Sequence, residues 1–128
     1  MKILLSIAAM SLVLAGCQTA GERFAQQRPA TSAEKASIVA GARNIMRDPY
    51  SIRDAEISNY VPDVTGENGH ICVVANAKNG FGGYTGRKGT LVAMVNGKAV
   101  NAWENHPMCG LSQMRYQPFP EIYKLREI

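Results

Sequence analysis

Four side chains could do chemistry together: His70-x-Cys72 and His106-x-x-Cys109. Two histidines and two cysteines form a donor set for tetrahedral zinc. The two cysteines alone form a disulfide, if the compartment is oxidising. The pattern speaks against zinc. Alternation along a strand puts residues 70 and 72 on one face. Zinc knuckles bring two cysteines together, whereas each half here is a mixed His/Cys pair. A Cys72–Cys109 bridge would close a loop of 37 positions. In the chain-entropy view such a loop contributes about 3–4 kcal/mol. The expectation is a disulfide, with no metal and no cofactor.

Catalytic groupings are harder to draw. Nucleophilic catalysis needs Ser or Cys beside His, with a carboxylate to orient it. His70 and His106 are the only histidines, and no Gly-x-Ser-x-Gly elbow occurs. Asp54, Glu56, Glu67 and Glu104 offer carboxylates, but nothing in their spacing selects a pair for glycoside hydrolysis. No residue is assigned as catalytic. The expectation is a non-catalytic binding or scaffolding module, with a small periplasmic enzyme or enzyme inhibitor as the alternative.

The stretch "NAKNGFGGYTGRKGT" (Asn76 to Thr90) is dense in glycine. It is not a phosphate loop. Gly86 is followed by Arg87, and Lys88 by Gly89, so the Gly-Lys-Ser/Thr register fails. The segment also leads into a strand rather than a helix N-terminus. Two readings stand. In one, this is a long hairpin loop whose aromatics fold onto the sheet as a lid, a role better suited to Phe81 than to Tyr84. In the other, Phe81, Tyr84, Arg87 and Lys88 form a contact surface for an envelope protein or a cell-wall glycan, since aromatics and arginine are enriched at such contacts.

The elements that must position these residues follow from periodicity. Thr31-Ser32-Ala33-Glu34 fits a capping box. Ile38, Val39, Ala42, Ile45 and Met46 then recur at helical spacing up to Pro49, predicting a helix over 32–47. Gly41 weakens that helix, or permits close packing on a sheet. Strands are predicted at 54–61 and 70–78. A hairpin pairs 89–95 with 98–104 around Asn96-Gly97, because both central residues of a type I′ turn need positive φ. Residues 105–120 read as a loop with at most one helical turn, and Glu121 to Ile128 as a short helix or an edge strand. The fold class is α+β, one N-terminal helix packed on an antiparallel sheet of three to four strands. Ile38, Val39, Ile45, Ile57, Ile71, Val73, Leu91, Ala93 and Trp103 are the expected core.

The start of the chain supplies an address. Lys2 precedes an uncharged apolar run, Ile3 to Ala15, shorter than the about 20 residues a membrane span needs. "LAGC" (Leu14 to Cys17) resembles the lipobox of bacterial lipoprotein signal peptides. The resemblance implies removal of residues 1–16 and lipidation of Cys17. Gln18, rather than aspartate, after the cysteine implies the outer membrane, facing the periplasm. Two or three acyl chains on Cys17 would anchor the chain stably to the membrane. The periplasm is oxidising, which favours the disulfide. Of 128 residues, removing 16 leaves 112, enough for one domain over 32–128. Residues 17–31, the lipidated Cys17 and the polar segment after it, read as a flexible tether.

The net charge of +4 falls by one with the loss of Lys2, and its cations are scattered. No basic patch with interleaved aromatics calls for nucleic acid. Finally, "DPYSIRDAEI" and "ICVVANAKNGFGGYTG" resemble small proteobacterial envelope proteins that share an Asn-Ala-Lys-Asn-x-Phe-Gly-Gly-Tyr motif. The resemblance covers roughly residues 48–86. It implies a single domain and no particular chemistry.

Overall fold

A computed structural model describes residues 20–127. The signal segment and Cys17 lie outside the described residues. The helix predicted over 32–47 is α2, Ser32–Ile45. Its capping box is complete: the Glu34 amide donates to Thr31 Oγ1 at 3.1 Å and the Thr31 amide to Glu34 Oε1 at 2.9 Å. Two orphan donors of the helix start are thus satisfied. Past its end, Pro49 opens a 3-10 turn, Pro49–Ser51.

The expected strand at 54–61 is two pieces, β1 (Arg53–Ser58) and β2 (Val61–Pro62). Between them Tyr60 exchanges both backbone hydrogen bonds with Arg28, at 2.7 and 3.1 Å. The central strand β3 is Asn68–Asn76. It pairs along most of its length with β4, Lys88–Val95. β4 turns through Asn96 (φ 50°) and Gly97 (φ 75°) into β5, Lys98–Trp103, as the Asn-Gly signal predicts. A short edge strand β6, Tyr116–Pro118, pairs with β1. The antiparallel sheet runs β5-β4-β3-β1-β6, with β2 also beside β3.

The α+β class holds, but the sheet has six strands rather than three to four. The added pieces, β2 split from the expected first strand and the unforeseen β6, are two and three residues long. Such pieces carry no alternation to detect, and Pro62 and Pro118 argue against strand in a sequence reading. Of the two readings of the final segment, helix holds: it is a 3-10 helix, Pro120–Arg126.

Nor is α2 the first element. The segment expected to be a flexible tether carries helix α1, Ala20–Ala25, followed by the Arg28–Tyr60 bridge. Phe24 and Ala30 are buried. One aromatic and one small residue gave no periodic signal, yet they suffice to dock the segment.

The sheet has a core on each face. α2 and the C-terminal 3-10 run cover one face, where Ile38, Ile57, Ile71, Val92 and Phe119 are buried together. On the other face Phe24, Val61, Cys72, Leu91, Cys109 and Met114 cluster. Of the expected core, Ile45 (58%) and Trp103 (44%) are exposed, and Ala93 is only half-buried. Ile45 is the last residue of α2. Trp103 ends edge strand β5, where no neighbouring strand covers it.

Candidate functional site

Cys72 and Cys109 are joined as a disulfide, their Cα atoms 5.6 Å apart. The bridge ties β3 to the 3-10 turn Pro107–Gly110 across β4. It crosses at Gly89, where a built Cβ would lie 2.5 Å from Cys109 Cβ. The zinc alternative needs both sulfurs as thiolates, and the bridge consumes them. Among the described residues no group of three or more His, Cys, Asp or Glu could hold a metal ion. His106 closes the turn instead, its Nδ1 accepting from the Met108 amide at 3.1 Å. His70 sits half-buried on β3, and burial, aided by Arg23 and His106, holds its pKa below the usual range against the pull of Asp63. Tyr116 donates to the Cys109 carbonyl at 2.6 Å. Burial pushes its phenol up to about 12.

The glycine-rich segment between β3 and β4 is an ordered hairpin. Asn79 organises its tip: Oδ1 accepts from the amides of Phe81 (2.9 Å) and Gly83 (3.2 Å), and the Asn79 amide donates to the Gly83 carbonyl. Gly82 and Gly86 adopt φ of 81° and 87°, which a side chain would strain. Lower down, Asn76 Oδ1 accepts from the Gly86 amide at 3.1 Å. Both aromatics are exposed, Phe81 wholly and Tyr84 at 40%, as expected for Tyr84 but not for Phe81. Phe81 is no lid; it is 100% exposed at the tip. Tyr84 is the anchored one. Its hydroxyl donates to the Ser51 carbonyl at 3.0 Å, and the Arg53 guanidinium lies 3.6 Å from its ring centroid. The turn at Asn79 forces this result, because it aims residue 81 outward while Tyr84 returns along Lys78.

Arg87 is engaged as well. Its Nη2 pairs with Glu56 Oε2 at 2.7 Å, and its Nε donates to the Asp54 carbonyl at 3.2 Å. Asp54 takes a φ of 53° there, a conformation Asp tolerates better than most residues. Lys88 is exposed and forms no ion pair with a described residue. Glu67 and Glu104 are exposed on separate loops, so the four carboxylates considered for catalysis do not converge.

Beside the hairpin base, an open groove of about 590 Å³ runs between α2 and the sheet. Ile38, Gly41, Ala42 and Ile45 line it from the helix, and Val73, Ala75, Val92, Ala99 and Ala102 from the sheet. Gly41 was expected either to weaken the helix or to allow close packing. A Cβ there would meet nothing within 4 Å, so no close packing on the sheet requires the glycine. Arg47 and Lys78 stand at the hairpin end. The Arg47 guanidinium reaches to within 3.6 Å of where a Gly80 Cβ would be.

No protein-family model, curated protein or solved structure matches the chain. The site must therefore be read from its own geometry. The residues that sequence reasoning missed are Ser51, Arg53 and Arg47. Ser51 holds the hairpin base by accepting from the Lys78 amide at 2.8 Å. Its neighbours "DPYS" spelled a turn, but nothing local said what the turn would touch.

Proposed function

We propose that the protein is a lipid-anchored module of the bacterial outer membrane, facing the periplasm, that binds an envelope partner through its glycine hairpin. One observation carries this: Phe81 stands wholly in solvent on a loop whose backbone is pinned. An exposed aromatic costs little where the loop is mobile and can cover it. Held open on a rigid turn, it presents apolar area with its ordering entropy already spent, as binding surfaces do. Tyr84 and Arg53 brace the turn, and Lys88 adds an exposed charge. The reading assigns no catalysis to the chain.

The anchor reading rests on the lipobox-like "LAGC". Only Gln18 and Thr19 separate Cys17 from α1. Phe24 of α1 clusters with Val61 of β2, which pairs with β3 at His70. The hairpin leaves β3 from its other end, after Asn76. At about 3.3 Å per residue, the two sites are roughly 20–25 Å apart along the strand. Lipid at Cys17 would thus hold the docked end near the bilayer and offer Phe81 away from it.

The test is a photocrosslinking amino acid placed at position 81, and in parallel at exposed Gln26, in intact envelopes. Position 81 should give a discrete adduct that position 26 does not. Equal or absent adducts at the two positions would rule the hairpin out. Metabolic palmitate labelling tests the anchor separately, and Cys17→Ser should abolish the label.

A further inference from the structure

Three places in the chain read Asn-Gly: Asn68-Gly69, Asn79-Gly80 and Asn96-Gly97. Glycine has no Cβ to shield its backbone nitrogen, so that nitrogen can attack the carboxamide carbon of the asparagine before it. The fold decides whether the attack is helped or hindered, and the three pairs differ in this.

Asn68-Gly69 is held in β3, where both residues pair with β4. Asn96-Gly97 forms the tight β4–β5 turn, and no described amide donates to its carboxamide. Asn79-Gly80 stands in water at the tip of the glycine hairpin. Its carboxamide oxygen accepts from the Phe81 amide at 2.9 Å and from the Gly83 amide at 3.2 Å. Two donors on one oxygen polarise the carbonyl. They also stabilise the negative charge that an attack would place there, as an oxyanion hole does. The bond from the Phe81 amide folds the carboxamide back along the chain, and the ring it closes contains the Gly80 nitrogen. The hydrogen on that nitrogen is engaged by no described group. The Arg47 guanidinium reaches to within 3.6 Å of where a Gly80 Cβ would be, and it forms no ion pair with a described residue. An unpaired cation there favours an amide nitrogen that is losing its proton.

We infer that Asn79 is a self-modifying site, deamidated by the turn that holds it. The Gly80 nitrogen bonds to Asn79 Cγ and gives its proton to solvent. The bond from Cγ to Nδ2 breaks, and ammonia leaves with a proton taken from water. The resulting succinimide then adds water. Addition at the former side-chain carbonyl gives aspartate, and addition at the backbone carbonyl gives isoaspartate. One carboxamide and one water thus become one carboxylic acid and one ammonia, with nothing oxidised or reduced. Aspartate keeps the acceptor and adds a charge beside Arg47. Isoaspartate draws Cγ into the main chain, so the pin on Phe81 and Gly83 is lost. The inference stands whether or not the hairpin binds a partner. If it does, isoaspartate releases the turn that presents Phe81.

The experiment incubates the full chain at physiological pH and temperature, folded and in urea, in water enriched in heavy oxygen. Peptide mass spectrometry with backbone fragmentation reads isotope uptake and isoaspartate at all three pairs. Asn79 should convert about tenfold faster folded than unfolded, less than a buried oxyanion hole provides, because this one is exposed. Asn68 and Asn96 should convert more slowly folded than unfolded. Arg47→Ala should slow Asn79 in the folded chain and leave its unfolded rate unchanged. Gly80→Ala should suppress the conversion in a folded protein, since its Cβ would meet only Arg47, at ordinary contact distance. A folded rate at Asn79 at or below the unfolded one, a folded rate that Arg47→Ala leaves unchanged, or equal acceleration at Asn96 overturns the inference.

Discussion

Gly89 has no side chain because the disulfide occupies that space. A Cβ at this position would sit 2.5 Å from Cys109 Cβ and 3.3 Å from its Sγ. Gly69 is filled in the same way, by the ring of Tyr60 at 2.5 Å. These are steric demands, not conformational ones, since neither glycine has a positive φ. Gly89→Ala should therefore overpack the bridge and cost about 1–3 kcal/mol. In thermal melts of the oxidised protein, the midpoint should fall by several degrees. With Cys72 and Cys109 both changed to alanine, the penalty should shrink, because the turn is then free to withdraw. An unchanged midpoint in the oxidised protein would refute the packing argument. Gly89 was visible in the sequence as a glycine in a predicted strand, a sign of close approach, whereas Gly69 fell in the loop before one. What approached them was not visible.

At the level of elements, the docked N-terminal segment is the main departure from expectation. Its contacts include Phe24 in the core of one face, the Arg28–Tyr60 backbone bridge, the Arg28–Glu34 ion pair at 2.7 Å and a hydrogen bond from Gln27 Nε2 to the Gln113 carbonyl at 3.0 Å. Arg28 also lies over the Tyr60 ring, 4.2 Å from its centroid. Glu34 thus serves twice, as the N3 residue of the capping box and as the partner of Arg28. The capping box was legible, because its four residues are adjacent in sequence. The clasp was not, since Tyr60 comes from an element 32 positions after Arg28. Phe24→Ala separates the two descriptions of residues 20–31. A docked helix should lose about 3–5 kcal/mol in urea unfolding, with little change in slope. A free tether should lose less than about 0.5 kcal/mol.

For the molecule as a whole, acidification should destabilise in two stages. Burial holds His70 below its usual pKa. Its neutral form is favoured in the fold, so the stability it lends is present above about pH 6.5 and fades as pH falls. Burial pushes the Glu34 carboxyl up, but hydrogen bonds from Arg28 and Thr31 outweigh it and hold the pKa low. Its contribution is present above about pH 4.3 and is lost as pH falls through the lower folded value. Exposed Asp63, held low first by the Thr65 hydroxyl, adds to this second stage. Melting temperature against pH should be level above about 7, then decline gently, then steeply below about 4.5. Glu34→Gln should lower the plateau and flatten the steep limb. An identical acid limb in that variant would remove Glu34 from the account.

The sequence by itself determined what is local or periodic. The capping box and the 3.6-residue repeat specified α2. Asn96-Gly97 specified the β4–β5 hairpin, because few dipeptides accept two positive φ angles. Cys72 and Cys109 specified a bridge, once the metal pattern failed. Tertiary structure decided everything that depends on which distant surfaces meet. It left Phe81 wholly in solvent and tied exposed Tyr84 to the hairpin base, through hydrogen bonds accepted by Asn79 and Ser51 that no spacing rule encodes. It docked residues 20–31 through Phe24, the Arg28–Tyr60 bridge and the Arg28–Glu34 ion pair, contacts that leave no periodic signal.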